Sequence, residues 1–383
     1  MEWTSRERVI AAINHIEPDR VPIDVTPLYN FYINLKSYLG LEINEEVRYG
    51  LSMEVIPHPN VLKKLGVDIS SVKLGSPNQP VSFTRRDGTI QDEWGVIYRK
   101  IKQITGSYFE VVHSPLADAT LEDLEKYPWP SADLPGRGES SESTAKRLFE
   151  DTDLALLGRA AGSIIETPIY LMGFQKWMLR VGSDPQFAGA LLDKITDVQM
   201  SFDRVLLQAT ARYLNIYKVS GEDLGMQTST LYSYKIFKEL FLPRQKRRWQ
   251  AIRQYLDQVN PKVKIMLHSC GSIRKFIPDL INAGIQILDP IQPHAVGMDS
   301  FELKQEFGIR LVFHGGVDIQ RVLPFGTPQE VEVEVRTRVH ALASGGGYIL
   351  SPAHNVQADV PPANLVAMCQ AAQRFGRYPV AKG

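Results

Sequence analysis

Val263-Lys264-Ile265-Met266-Leu267-His268-Ser269-Cys270 is a short apolar run that ends in a polar cluster, and this pattern recurs through the second half of the chain. Similar runs occur at Leu154–Leu157, Ile216–Val219, Ile285–Leu288, Leu311–Phe313 and Tyr348–Leu350. Between them lie helical stretches near 184–213, 234–258, 272–283, 299–307, 328–343 and 362–375, with Pro185 and Pro361-Pro362 where helices should start. Six strand–helix units, with earlier strands near 21–25 and 69–73, make eight. Such alternation predicts a parallel sheet.

An open doubly wound sheet would also fit, but no Gly-x-Gly-x-x-Gly follows the first strand. The strand ends decide between the two. They read Gly158-Arg159, Ser220-Gly221-Glu222-Asp223, His268-Ser269-Cys270, Asp289, His314-Gly315-Gly316 and His354-Asn355. In a closed barrel all of these converge on one mouth, where the active sites of such barrels lie. The expected fold is therefore an α/β (β/α)8 (TIM) barrel, one domain over residues 1–383.

Thr4 and Glu7 have capping-box spacing and predict an N-terminal helix over residues 5–14. Residues 82–112 break the barrel pattern. An Asp87-Gly88 turn lies between β-favouring runs, and Trp94, Val96 and Tyr98 continue the alternation, so an inserted β-hairpin is expected there.

Lys+Arg and Asp+Glu balance at 43 each, which argues against a nucleic-acid or anionic-membrane partner held by bulk charge. No stretch approaches eighteen apolar residues, and only two cysteines occur, Cys270 and Cys369. A reduced, cytoplasmic protein is the expectation.

His268 and Cys270 stand two apart at a strand end, so imidazole and sulfur share a face, which suits two zinc ligands. A buried cysteine beside a hydrogen-bonded histidine has the same spacing. His354 follows the last strand and would reach the same mouth. A third ligand there leaves a fourth position open, the arrangement of a catalytic zinc. Glu222 and Asp223 are adjacent, so one of the two should enter the mouth as a metal ligand, a partner for His268 or a general acid/base. Capping the next helix or pairing with Arg159 remains open for either. Arg159, Asp289 and His314 are candidate substrate-binding residues, with Arg20 also placed near the mouth. Asp318 reads as a helix cap, Lys246-Arg247-Arg248 as a solvated helix face, and Cys369 as packing.

The chain also resembles the uroporphyrinogen decarboxylase superfamily nearly end to end. The resemblance is carried by Ser5-Arg6-Glu7-Arg8-Val9 through Pro18-Asp19-Arg20-Val21-Pro22, by Leu121-Glu122-Asp123-Leu124 with Tyr127-Pro128-Trp129-Pro130, and by Gly221-Glu222-Asp223-Leu224-Gly225. Phe313-His314-Gly315-Gly316-Val317-Asp318, Pro361-Pro362-Ala363-Asn364-Leu365 and Gly376-Arg377-Tyr378-Pro379 continue it.

Decarboxylases of the superfamily carry Arg-Gln-Ala-Gly-Arg-Tyr near the N-terminus, where this chain has Pro27-Leu28-Tyr29-Asn30-Phe31-Tyr32. Its corrinoid-dependent zinc methyltransferase branch carries His-x-Cys after a strand, as at His268 and Cys270. The third ligand of that branch is commonly Cys, where this chain offers His354. The resemblance to this branch implies a Zn2+ site and a corrinoid held on a partner protein. It also implies methyl transfer between that cobalt and a small O- or N-methyl compound, with Glu222 or Asp223 as the catalytic carboxylate. A homodimer is compatible with it. Competing readings are a metal-free lyase, and methyl-corrinoid:thiol transfer of the coenzyme M type.

Overall fold

In the computed structural model, which describes residues 3–45, 47, 50–103, 106–160, 162–219 and 221–380, the eleven strands fall into two sheets. In chain order they are β1 (Ile69–Lys73), β2 (Phe83–Thr84), β3 (Ile90–Gln91), β4 (Ile97–Gln103), β5 (Gly106–His113) and β6 (Ala155–Arg159). They continue with β7 (Ile216–Val219), β8 (Lys264–His268), β9 (Ile287–Ile291), β10 (Val312–Val317) and β11 (Tyr348–Pro352).

The larger sheet is parallel and runs β1-β6-β7-β8-β9-β10-β11. Its two edges meet through residues 22–24. Leu350 N–H donates to the Pro22 carbonyl (2.9 Å), Asp24 N–H to the Leu350 carbonyl (2.9 Å), and Asp68 N–H to the Ile23 carbonyl (2.8 Å). The expected first strand is thus a single parallel bridge, Ile23↔Leu350. Pro22 has no N–H to donate, so a regular ladder cannot extend through it.

The barrel interior is layered. Ile69, Leu157, Ile216, Met266, Ile287, Val312 and Ile349 form one buried apolar layer, and Val9 and Ile13 of the N-terminal helix close it from below. That helix runs Ser5–Ala12, and Thr4 and Glu7 form the reciprocal cap that their spacing predicts. Inward-facing side chains recur every second residue along a strand. The next layer is therefore Arg159, Lys218, His268, Asp289 and His314, and it is polar.

The insertion differs from a single hairpin. It is a four-stranded antiparallel meander, β2-β3-β4-β5. A second turn, at Asp92–Gly95, reverses the chain because Asp92 Oδ1 accepts from Trp94 N–H and Val96 N–H (both 2.9 Å) and Gly95 takes a positive φ of 77°. Most of the pairing is between β4 and β5.

The basic run on the helix Leu242–Val259 needs one correction. Arg248 is fully buried, and its Nε donates to Asp203 Oδ2 at 2.6 Å, a partner on the helix Pro185–Thr210. Among the described residues no helix is long and apolar enough to cross a membrane.

Candidate metal centre

Three side chains meet at the C-terminal end of the barrel. One ligand atom from each of His268, Cys270 and His354 lies within 4.8 Å of the other two. Cys270 Sγ is 3.6 Å from His268 Nε2. A tetrahedral zinc with bonds of about 2.3 Å to sulfur and about 2.0 Å to nitrogen separates such ligand atoms by roughly 3.6 Å. The donor set therefore fits zinc.

His268 is prepared for this role from below. Its Nδ1 lies 2.7 Å from Asp289 Oδ2. Burial alone would raise the Asp289 carboxyl, but Lys218 (2.6 Å), His314 and His268 together hold it well below the usual range. An ionised carboxylate only accepts, so Nδ1 carries the proton and Nε2 keeps its lone pair.

His314 in turn bridges Asp289 Oδ1 (2.5 Å) and Asp24 Oδ2 (3.0 Å). Burial works against its charge, yet the two carboxylates raise its pKa to about 9. Burial lowers the pKa of His354, helped by the charge of His268, which keeps that imidazole available as a donor. The Cys270 thiol is pushed up, by burial first and then by Asp223 and Asp289. A bound cation reverses this, because a coordinating thiol is deprotonated.

The turn that presents Cys270 is set by backbone packing. Gly271 has φ +82°, and a Cβ on it would stand 2.5 Å from the Gly225 carbonyl carbon. Only glycine permits the two loops to touch there. Cys270 N–H donates to Asp223 Oδ1 at 2.9 Å, and the same oxygen is 3.7 Å from His268 Nε2.

Of the adjacent carboxylates, Asp223 is thus the one at the mouth. Glu222 is fully buried on the opposite side of the segment. It accepts from Ile164 N–H and Gln245 Nε2, both at 2.9 Å, and faces Arg248. The structure places it in the packing between helices and away from the cavity. Ser220 lies outside the described residues.

A cavity of about 590 Å3 opens beside these three candidate ligands, lined among others by His268, His354, Asp223, Arg159 and Trp94. Arg159 reaches it as expected. Asp289 and His314 are not among its lining residues; they lie beneath His268, Asp289 against its Nδ1 and His314 against Asp289. Arg20 is at the other end of the barrel, bound to Asp68 at 2.7 Å. Asp318 Oδ2 accepts at 3.2 Å from the N–H of Val322, the first residue of the helix Val322–Phe325, whose N-cap residue is Arg321.

Two groups at this site escape the sequence reading. Lys218 sits within the apolar run of β7 and points inward. Glu166 lies in the loop after β6 and lines the cavity. Burial, then Asp223 and Glu222, raise its pKa to about 8, so it carries a proton at neutral pH.

Comparison with known proteins agrees with this architecture. Over residues 100–375 the chain matches the family model described as uroporphyrinogen decarboxylase (URO-D). It is 24% identical over 289 residues to a protein named uroporphyrinogen decarboxylase from Pseudoalteromonas translucida (strain TAC 125), covering 70% of this chain and 74% of that one. In fold it is similar to a solved methyltransferase from Methanosarcina mazei, with a TM-score of 0.62 and 17% identity over 98% of this chain and 99% of that one. With a family model spanning most of the barrel, and a barrel whose polar layer and strand ends lie where that fold has its site, the chain belongs to the uroporphyrinogen decarboxylase family.

Proposed function

We propose that the protein is a zinc-dependent methyltransferase that moves a methyl group from a small O- or N-methyl compound to the cobalt of a corrinoid carried by a separate protein. The observation that carries this reading is the converging His268/Cys270/His354 set with His268 fixed by Asp289. The fold shared with a methyltransferase supports it.

When bound, zinc would supply a Lewis acid that polarises the donor heteroatom. Two imidazoles and one thiolate leave more positive charge at such a centre than two thiolates would. That favours activating an ether or amine over holding a thiolate, and so favours transfer towards cobalt.

The chain's own residues supply the rest. Asp289 fixes the orientation and tautomer of His268. Asp223, beside the ligand set, orients the leaving group. Glu166, whose carboxyl is pushed up by burial and then by Asp223, lines the same cavity and would give its proton to the departing oxygen or nitrogen.

Among the cations lining the cavity, Lys73 and Arg159 are bound to Glu54 and Lys218 to Asp289. Without the N-terminal arginines, these cations suffice for one carboxylate group rather than for a substrate with many, as tetrapyrrole decarboxylation would require.

The test mixes zinc-loaded protein, a corrinoid protein reduced to Co(I), and a panel of O- and N-methyl compounds, and follows methyl-cobalt formation by absorbance. Wild type should form methyl-cobalt with at least one donor. Cys270→Ala should abolish it, and Glu166→Gln should slow it roughly 10²-fold or more. No methyl-cobalt across the panel would contradict the reading.

A further inference from the structure

Gln199, on the helix Pro185–Thr210, is fully buried and lines the same cavity. Neither its Nε2 nor its Oε1 has a hydrogen-bond partner among the described residues. Buried polar atoms are normally paired, so an unpartnered amide in the lining of a cavity points to a polar group that binds there. The approach is kept open by a glycine. A Cβ at Gly162, where φ is +111°, would stand 2.7 Å from Gln199 Nε2.

A second, independent feature lies beside it. The Glu54 carboxylate serves two cations at once. Arg159 Nη2 donates to its Oε1 at 3.0 Å and Lys73 Nζ to its Oε2 at 3.1 Å, while Asn355 Nδ2 also donates to Oε1 at 2.8 Å. Glu54 itself thus stands between two positive charges. Arg159 uses one of its five N–H donors in this pairing and Lys73 one of its three. Burial, then the charge of Arg159, lowers the Lys73 pKa, so a further anion would be welcome there.

A second carboxylate of the cavity lining is engaged elsewhere. Asp92 already accepts from Trp94 N–H, Val96 N–H and the Tyr98 hydroxyl.

These features all belong to the lining of the one cavity. Asn355 is next to His354 and holds Glu54, which holds Arg159 and Lys73. Lys73 is followed by Leu74, which with Trp94 packs against Val198 and Phe202, the neighbours of Gln199 on its helix. We infer that Arg159, Lys73 and Gln199 form a subsite for a carboxylate group, so that the small-molecule substrate is a methylated carboxylic acid. Its acid group is held at this wall and its methyl-bearing heteroatom is directed to His268, Cys270 and His354. The identity of that second end rests on the methyl-transfer reading; the carboxylate subsite does not.

Binding without turnover tests the two separately. Calorimetric titration compares 4-methoxybenzoate with neutral 4-methylanisole, and methoxyacetate with neutral 2-methoxyethanol, on the full chain. At least one acid should bind wild type tenfold or more tightly than its neutral partner. Lys73→Met and Gln199→Leu should each weaken that acid about fivefold or more, with the neutral compound unchanged. Cys270→Ala should keep the preference, because the subsite does not use the metal. A wild type that binds neither acid better than its neutral partner overturns the subsite, as do variants that leave acid affinity unchanged. An intact acid preference with no methyl transfer to cobalt would sink the methyl-transfer reading alone.

Discussion

Asp289 holds His268 in the one tautomer that leaves Nε2 free, and it is also the partner of Lys218 and His314. Asp289→Asn should therefore lower zinc affinity by about 10- to 100-fold with every ligand still present. Competition with a chromophoric chelator measures this, and unchanged affinity would show that the contact does not tune the metal. His314 provides the pH dependence. Its folded-state pKa, about 9, lies above the ordinary 6.5, so its contribution to stability is complete below about 6.5 and is lost as pH rises through about 9. In metal-free protein, the stability gap between wild type and His314→Gln in urea unfolding should be widest near pH 6 and shrink above pH 9. The three ligand candidates are legible in the sequence because each lies in the short polar stretch that follows an apolar run. Lys218 is not, because a single lysine among Ile216, Tyr217 and Val219 reads as part of that run. Glu166 is hidden for a different reason: it lies beyond the strand end, in a loop whose direction the sequence does not fix. The choice between Glu222 and Asp223 depends on which way the chain turns after β7, and only the fold settles it.

At the scale of elements, the two-residue alternation explains why the polar layer exists. Residues 157, 216, 266, 287 and 312 are apolar, and the residues two further on are Arg159, Lys218, His268, Asp289 and His314. That regularity could have identified Lys218 and placed Asp289 beside His268 rather than in the open mouth. The loops above the strands are held by the Gly225–Gly271 contact. Gly271→Ala forces a Cβ against backbone at a positive φ, and should cost on the order of 1–3 kcal/mol. Because Cys270 is its neighbour, zinc affinity should fall with stability although no ligand is removed. Thermal unfolding and zinc titration of the same variant check this, and loss of stability with zinc binding intact would refute the coupling. The meander was legible only as a hairpin, since its second turn depends on Asp92 accepting two N–H groups. Arg248 reads as solvated from its run of charges, and is buried because Asp203 faces it across two helices.

The whole molecule separates stability from chemistry between its two ends. At the N-terminal end, fully buried Asp68 accepts from Arg8 Nη1, Arg20 Nη1 and the Ile23 N–H, tying the first helix, the closing segment and β1 together. Asp68→Asn leaves Arg20 without its carboxylate, while Arg8 keeps Asp19, and should destabilise by about 3–5 kcal/mol. At temperatures where the variant is folded, zinc content should match wild type; chemical denaturation and metal analysis measure the two. Closure of the barrel was legible from the polar clusters at the strand ends, although the first of the eight strand-like runs proves to be one bridge rather than a strand. The central claim is that His268, Cys270 and His354 hold one zinc at the opposite end, and metal analysis of protein purified without added metal tests it most directly. The account predicts about one zinc per chain in wild type and its loss in both Cys270→Ala and His354→Ala. Wild-type protein that stays zinc-free even after exposure to zinc, or variants that retain the full amount, would contradict it.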